Sequence, residues 1–252
     1  MPENTLARAF KQRVANQTVL VRRKFLDENG VELECHGTGV IIGFNEDCVH
    51  IATAGHVLDG FGEGKSRWAV QRVELDNEGT PIEFRQHFGD DDLSTAVPTV
   101  LCTEYLRDCD IGLMIVENRA DGPPGTMLID PSQHTQLKVI PTTGYLQTGG
   151  KVAWAGYPGF VADMTDRFHL CYFEGAVSAV LSEPPVYLVD GHTSPGVSGG
   201  PMWILQDDGE PIITAVCIHY AYPQEPTPGL VGFCPLQVLL RFVETMHAQT
   251  PS

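Results

Sequence analysis

The sequence predicts an all-β fold of twin barrels with a helix at either end, and three observations carry that expectation. Short apolar runs alternate with polar residues, or stand between turn residues, along most of the chain, as half-buried and buried strands do. The 26 glycines and 18 prolines among 252 residues are roughly a sixth of the chain against an average of about an eighth, which favours many tight turns over a helical bundle. The strand-and-turn texture also occurs twice, in halves with no detectable sequence repeat between them. A chain of this length can bury a sufficient core as one large all-β domain or two small ones.

Residues 4–15 place Leu6, Phe10 and Val14 at four-residue spacing, the pattern of an amphipathic helix lying on a larger body. From Thr18 the period is two. Val19, Val21, the turn Asp27-Glu28-Asn29-Gly30, then Val31, Leu33 and Cys35 form a β-hairpin pattern. Residues 37–44 and 48–53 read as two more buried strands. Residues 60–95 are polar around one strand at 68–75. Asp90-Asp91-Asp92 reads there as an exposed acidic loop tip, because a calcium site needs further oxygen ligands. Asp110 opens a buried strand over 111–116. Gly122-Pro123-Pro124-Gly125 and the polar residues to about Thr135 read as a linker. Strands follow at 152–156, 170–181, 186–189, 201–205 and 212–219, with Gly149-Gly150 and Gly156-Tyr157-Pro158-Gly159 as turns. Pro235 then opens an amphipathic helix through Leu236, Leu239, Leu240, Val243 and Met246. The divisions are residues 1–16 for the first helix, 17–125 and 126–234 for the two barrels, and 235–252 for the last helix and tail, together one functional domain.

A formal charge of −16 repels phosphate backbones and anionic lipid, so nucleic acid and membrane are not expected as partners. Neither a run of 18 apolar residues nor a basic segment leading into a hydrophobic one is present, which makes a cytoplasmic location the expectation. The cysteines at 35, 48, 102, 109, 171, 217 and 234 are odd in number and dispersed, and read as reduced core residues. Cys35-His36 and Cys48/His50 lack the paired spacing of a metal site, so no metal or other cofactor is expected. Trp68, Trp154 and Trp203 read as core, and Arg22-Arg23-Lys24 as a solvated strand end.

Three segments stand apart: Thr53-Ala54-Gly55-His56-Val57, Asp110 at the head of its strand, and Ser194-Pro195-Gly196-Val197-Ser198-Gly199-Gly200-Pro201. Singly each has an ordinary structural explanation; together they supply a base, an orienting carboxylate and a nucleophile. A serine hydroxyl needs a base to take its proton during attack, and an imidazole is poised to do so near neutral pH. A carboxylate fixes the imidazole tautomer and stabilises the imidazolium. Glycines around Ser198 let its own N–H and that of Gly196 converge where an oxyanion would form.

In that order, the three segments resemble the His, Asp and Ser motifs of trypsin-like, chymotrypsin-fold serine proteases, over about residues 17 to 245. The resemblance implies two six-stranded antiparallel β-barrels and a serine endopeptidase acting through His56, Asp110 and Ser198, with the oxyanion hole at Gly196 and Ser198. Val197 stands where digestive enzymes carry the Asp that pairs with a newly cut N-terminus, and Val57 where they carry a cysteine. The likeness is therefore closer to the HtrA-like and glutamyl-endopeptidase-like branches. Val216-Cys217-Ile218-His219-Tyr220 is similar to the specificity strand of glutamyl endopeptidases and picornaviral cysteine proteases. That similarity implies a preference for Glu or Gln on the acyl side of the cut, through His219 and Thr193, with His192 able to share the role. Cys217 in place of a glycine and the charge of −16 weigh against it, and His219 capping a strand edge is the alternative. The expected partners are a polypeptide substrate and a regulatory protein. A catalytically silent peptide-binding or scaffold module and a serine esterase are the other readings.

Overall fold

The computed structural model describes residues 13–26, 29–58, 67–72, 100–118, 138–139, 146–165, 168–205, 211–218 and 229–249. Two sheets carry the molecule. The first joins β1 (Thr18–Leu26), β2 (Glu32–Phe44), β3 (Cys48–Ala54), β4 (Arg67–Arg72), β5 (Val100–Leu106) and β6 (Ile111–Glu117) in the order β4-β1-β2-β3-β6-β5, all antiparallel. The second joins β7 (Lys138–Val139), β8 (Lys151–Gly156), β9 (Cys171–Ser182), β10 (Pro185–Asp190), β11 (Pro201–Leu205), β12 (Pro211–Ile218) and β13 (Leu230–Pro235) in the order β11-β8-β9-β10-β13-β12-β7. A further β11–β12 pairing closes six of these strands into a barrel, and β7 lies outside the ring, parallel to β12. This is the chymotrypsin-like double-barrel architecture, with a parallel seventh strand that is too short to leave a period in the sequence.

The strands follow the sequence pattern where one face is wet and depart from it where both are covered. The hairpin arm and the run at 37–44 are not two strands but the single 13-residue β2, whose register with β1 runs from Leu26↔Glu32 to Thr18↔Val40. β12 is buried at all eight positions, so it shows an unbroken apolar run instead of alternation. β5 and β13 were not expected. In β5 the polar Thr103 and Glu104 interrupt the apolar pattern, and in β13 Pro235 closes a strand before α4 (Leu236–Gln249) begins. A single helical turn, α2 (Gly55–Leu58), follows β3, and α3 (Gly159–Thr165) occupies a place where only a turn was expected. A helical turn at 13–17, α1, precedes β1; its Val14 and Ala15 are buried and Thr18 Oγ1 donates to the Val14 carbonyl at 2.7 Å. No described helix is long and apolar enough to cross a membrane.

One apolar cluster spans both halves: it includes Val19, Val40, Ile51 and Met114 from the first sheet, Ile213, Val216 and Cys234 from the second, and Leu236 and Leu239 from α4. A second lies inside the closed barrel around Trp154, which stacks on Phe173 and meets Phe233 edge-on at 5.4 Å. Trp154 and Trp203 are core, as expected. Arg22 is not a solvated strand end: its guanidinium is buried, ion-paired with Glu34 diagonally across the hairpin, and 5.2 Å from the Phe168 ring centroid. The six cysteines with described side chains are free; Cys217 and Cys234 are buried, but Cys35 is exposed and Cys48, Cys109 and Cys171 are intermediate. Asp90-Asp91-Asp92, the stretch from Gly122 to Thr135, His219, and the side chains of Trp68 and Cys102 lie outside the described residues.

Candidate active site

β3 ends at Ala54 and delivers His56 in the first turn of α2. The Gly55 N–H donates to the Asp110 carbonyl at 2.9 Å, and a Cβ at Gly55 would sit 3.1 Å from Asp110 Oδ1, so the residue before the histidine must be small. Asp110 Oδ1 accepts the His56 backbone N–H at 2.8 Å, and Oδ2 lies 2.7 Å from His56 Nδ1. A carboxylate can only accept, so this contact puts the ring proton on Nδ1 and leaves Nε2 with its lone pair. The His56 side chain is 44% exposed and that of Asp110 26%, so the ring is reachable from solvent while its anchor is partly shielded. Asp110 ends the single 3-10 turn Arg107–Cys109 with φ of 49°, and its N–H donates to the Arg107 carbonyl at 3.2 Å. Aspartate is among the few side chains that adopt this left-handed conformation, at about 1–2 kcal/mol.

The loop from Ser194 to Gly200 spends its hydrogen bonds selectively. Val197 N–H donates to the Ser194 carbonyl at 3.1 Å, Gly199 N–H to the Cys217 carbonyl at 2.7 Å and Gly200 N–H to the Val197 carbonyl at 2.9 Å. The Pro195 carbonyl accepts the Gly159 N–H at 2.8 Å. In a trans peptide plane the N–H points opposite to the C=O, so the Gly196 N–H faces away from Gly159, and the Ser198 N–H away from Gly200. Among the described residues neither of these two N–H groups has a partner. Gly196 and Gly199 have φ of 94° and 90°. Any Cβ at Gly196 would overlap the Tyr157 carbonyl and His36, and one at Gly199 the Thr38 carbonyl and Thr53 Oγ1.

Thr38 in β2 joins this loop to the first sheet. Its N–H donates to the Ser198 carbonyl at 2.7 Å, and its hydroxyl donates to the Gly196 carbonyl at 2.6 Å and accepts the Tyr157 N–H at 3.0 Å. Its carbonyl accepts Thr53 Oγ1 at 2.6 Å. At Gly37 a Cβ would lie 2.6 Å from Val57 Cγ2 and 3.2 Å from the Ser198 carbonyl, so the bare backbone lets the residue after His56 pack toward Ser198. Thr38 was not singled out from the sequence. The available signal was a threonine between two glycines inside a buried strand, which marks close backbone approach.

The specificity positions are brought together only in part. Thr193 is exposed, with its hydroxyl 3.9 Å from Cys217 Sγ. The Cys217 thiol is buried and pushed up to about 12 by that burial, and its N–H donates to the Gly200 carbonyl at 2.8 Å. His192 is exposed, and His219 follows β12 outside the described residues. His36 was missed as well. Its ring meets Phe168 edge-on at 4.8 Å and lies beneath Gly159 and Gly196, with Nε2 buried and without a partner among the described residues. Burial holds the imidazole below its ordinary pKa. Cys48 Sγ is 3.6 Å from His50 Nε2, on one face of β3 as the period of two requires; among the described residues no three such groups gather as a metal site would need.

The profile of the trypsin-like peptidase domain matches residues 37–212. Among 364 matching solved chains is the HtrA-type protease AlgW, in a serine-to-alanine form solved with a decapeptide. It is 14% identical, superposes with a TM-score of 0.59, and the match covers 97% of this chain and 67% of that one. No curated protein sequence matches significantly.

Proposed function

Since the chain belongs to the trypsin-like peptidase family, we propose that it cuts peptide bonds with Ser198 as nucleophile, His56 as general base and Asp110 as orienting carboxylate. Ser198 Oγ adds to the scissile carbonyl as its proton passes to His56 Nε2; Asp110 Oδ2, 2.7 Å from Nδ1, stabilises the imidazolium. The carbonyl oxygen becomes an oxyanion between the N–H groups of Gly196 and Ser198. Collapse sends the proton from His56 to the leaving amine, and water then releases the acyl group by the same route. The observation that carries this reading is the selectivity of the stretch from Gly196 to Gly200: its other three N–H groups are consumed internally or by Cys217, and the two of Gly196 and Ser198, which flank Val197, are left to donate. One such donor contributes about 3–4 kcal/mol to lowering the barrier.

The finer parts of the reading are a preference for Glu or Gln through His219 and Thr193, with His192 at the pocket rim, control by a partner protein, and a reducing, cytoplasmic setting. Thr193 supports the first by being exposed beside the loop, and free thiols support the last. Labelling by a fluorophosphonate, lost in Ser198→Ala, together with burst release of the acyl product, tests the mechanism. A folded protein that is never labelled returns the reading to a silent peptide-binding module. Ester turnover without peptide turnover makes it an esterase. A proteome-wide cleavage profile, unchanged in His219→Ala and Thr193→Ala, removes the Glu/Gln preference. Equal activity with and without co-purifying proteins removes partner control.

A further inference from the structure

α3 turns its largest apolar side chains outward. Val161 and Ala162 are half-buried, whereas Phe160 and Met164, four residues apart and so on one face of the helix, are 53% and 80% exposed. The helix is fixed beside the nucleophile. Its first N–H, from Gly159, donates to the carbonyl of Pro195, three residues before Ser198, at 2.8 Å, and a Cβ at Gly159 would lie 2.9 Å from the His36 ring. Strand order gives the flank it occupies. β11 lies between β8 and β12, with Met202 opposite Trp154 and Pro201 opposite Val216, so the end of β8, the start of β11 and the end of β12 share one end of the barrel. The Ser198 loop enters the middle strand there. α3 follows β8 on one flank, and the residues after Ile218 follow β12 on the other.

We infer that the α3 face of Phe160 and Met164 is the binding surface for the substrate residues that follow the cut, and that it takes an apolar, non-acidic segment. This rests on the catalytic reading above. In that reading the residue before the cut is received on the β12 flank, where the Thr193 hydroxyl lies 3.9 Å from Cys217 Sγ. A peptide that reaches Ser198 from that flank leaves past Pro195, which is exposed, onto α3. The aromatic ring supplies rigid contact area and the thioether adapts to side chains of different shape. The surface therefore selects for apolar character and not for one residue type. Asp163, exposed one residue before Met164, and the net charge of −16 oppose an acidic segment. An open apolar face discriminates at the low end of what apolar contacts achieve, about tenfold.

The experiment gives the full chain a set of peptides that share one acyl half and differ just after the cut, together with a nitrophenyl ester of the same acyl half, and reads kcat/KM. Peptides with Leu or Phe after the cut are expected to react about tenfold faster than those with Glu. In the Phe160→Ala/Met164→Ala double variant this ratio falls toward one, and turnover of the ester, which has no leaving segment, does not follow it. Leu205→Ala, at a comparably exposed position at the far end of β11, keeps the ratio. A ratio near one in the wild type or a ratio kept in the double variant overturns the proposal. So does an equal fall for peptides and ester, which would make α3 a support of the loop. A second readout needs no turnover. In Ser198→Ala with isotope-labelled methionine methyls, the Met164 resonance, identified by its loss in Met164→Leu, is expected to move on titration with the peptide amide Leu-Phe-Ala-Lys and to stay in place with Glu-Glu-Ala-Lys. A resonance that moves only with protein concentration puts a second copy of the chain on this face and overturns the proposal, as does one that does not move. If the wild type turns over neither ester nor peptide, the catalytic reading is what fails, and the Met164 resonance then decides alone whether α3 binds the apolar peptide.

Discussion

Thr38 Oγ1 donates a 2.6 Å hydrogen bond to the Gly196 carbonyl, joining a strand of the first sheet to the loop that carries Ser198 across 158 residues of chain. The same hydroxyl accepts the Tyr157 N–H. One side chain thereby fixes two backbone segments of the second half against the first. In Thr38→Val both buried partners lose their hydrogen bond, at about 1–3 kcal/mol each. We expect lower denaturant stability and a lower kcat in this variant, with both restored in Thr38→Ser. Full activity in Thr38→Val would show that the loop holds its shape without this tie.

Asp110 serves His56 twice, through the ring and through the backbone. Asp110→Asn keeps an oxygen for the His56 N–H but turns an amide donor toward Nδ1, which moves the ring proton to Nε2 and removes the base. The expected loss in kcat is on the order of 10⁴ with little change in stability. Asp110→Ala should cost stability as well, because the His56 backbone N–H loses its acceptor. Kinetics and urea unfolding on both variants separate the two roles.

The site was legible in the sequence to the extent that its chemistry is local. His56, Asp110 and Ser198 each sit at a strand end marked by small residues, and the need for those residues is visible in the Gly55–Asp110 and Gly199–Thr38 approaches. Thr38 and His36 were not legible, because each acts on residues more than a hundred positions away and looks from its own surroundings like any strand residue. Arg22 was misread for the same reason. Its neighbours are basic, while its partners, Glu34 and Phe168, come from the facing strand and from the other half. Among the strands, alternation exposed the hairpin of β1 and β2, but β13, buried at five of six positions and closed by proline, left no period to find.

Gly196 has no room for a side chain. Its φ of 94° costs an alanine about 1–2 kcal/mol, and the added methyl would overlap the Tyr157 carbonyl and the His36 ring. The loop must then rotate, and the Gly196 N–H leaves its aim. For Gly196→Ala we expect kcat to fall about 10²–10³-fold, the cost of one oxyanion donor, while Ser198 and the His56–Asp110 pair stay in place. A crystal structure of the variant with unchanged His56–Asp110 distances, alongside the kinetics, would assign the loss to the donor.

His36 makes the molecule sensitive to acid. Burial lowers its pKa below the ordinary 6.5; Glu34, Asp163 and the Tyr157 carbonyl oppose the shift and Arg22 reinforces it. The unfolded chain, with His36 near 6.5, therefore binds its proton before the folded one does. Between the two values the unfolded state holds more protons, so stability rises with pH there. His36 leaves stability undiminished above 6.5 and withdraws it as pH falls from that value toward the folded pKa. Protonation would also put a charge under Gly196, in the loop that carries Ser198. We expect urea unfolding between about pH 8 and pH 5 to show wild-type stability falling by as much as one proton's uptake allows. In His36→Asn, whose side chain takes up no proton in this range, the slope should flatten even though the packing against Phe168 is poorer. Equal slopes in the two proteins would place the acid sensitivity on another group.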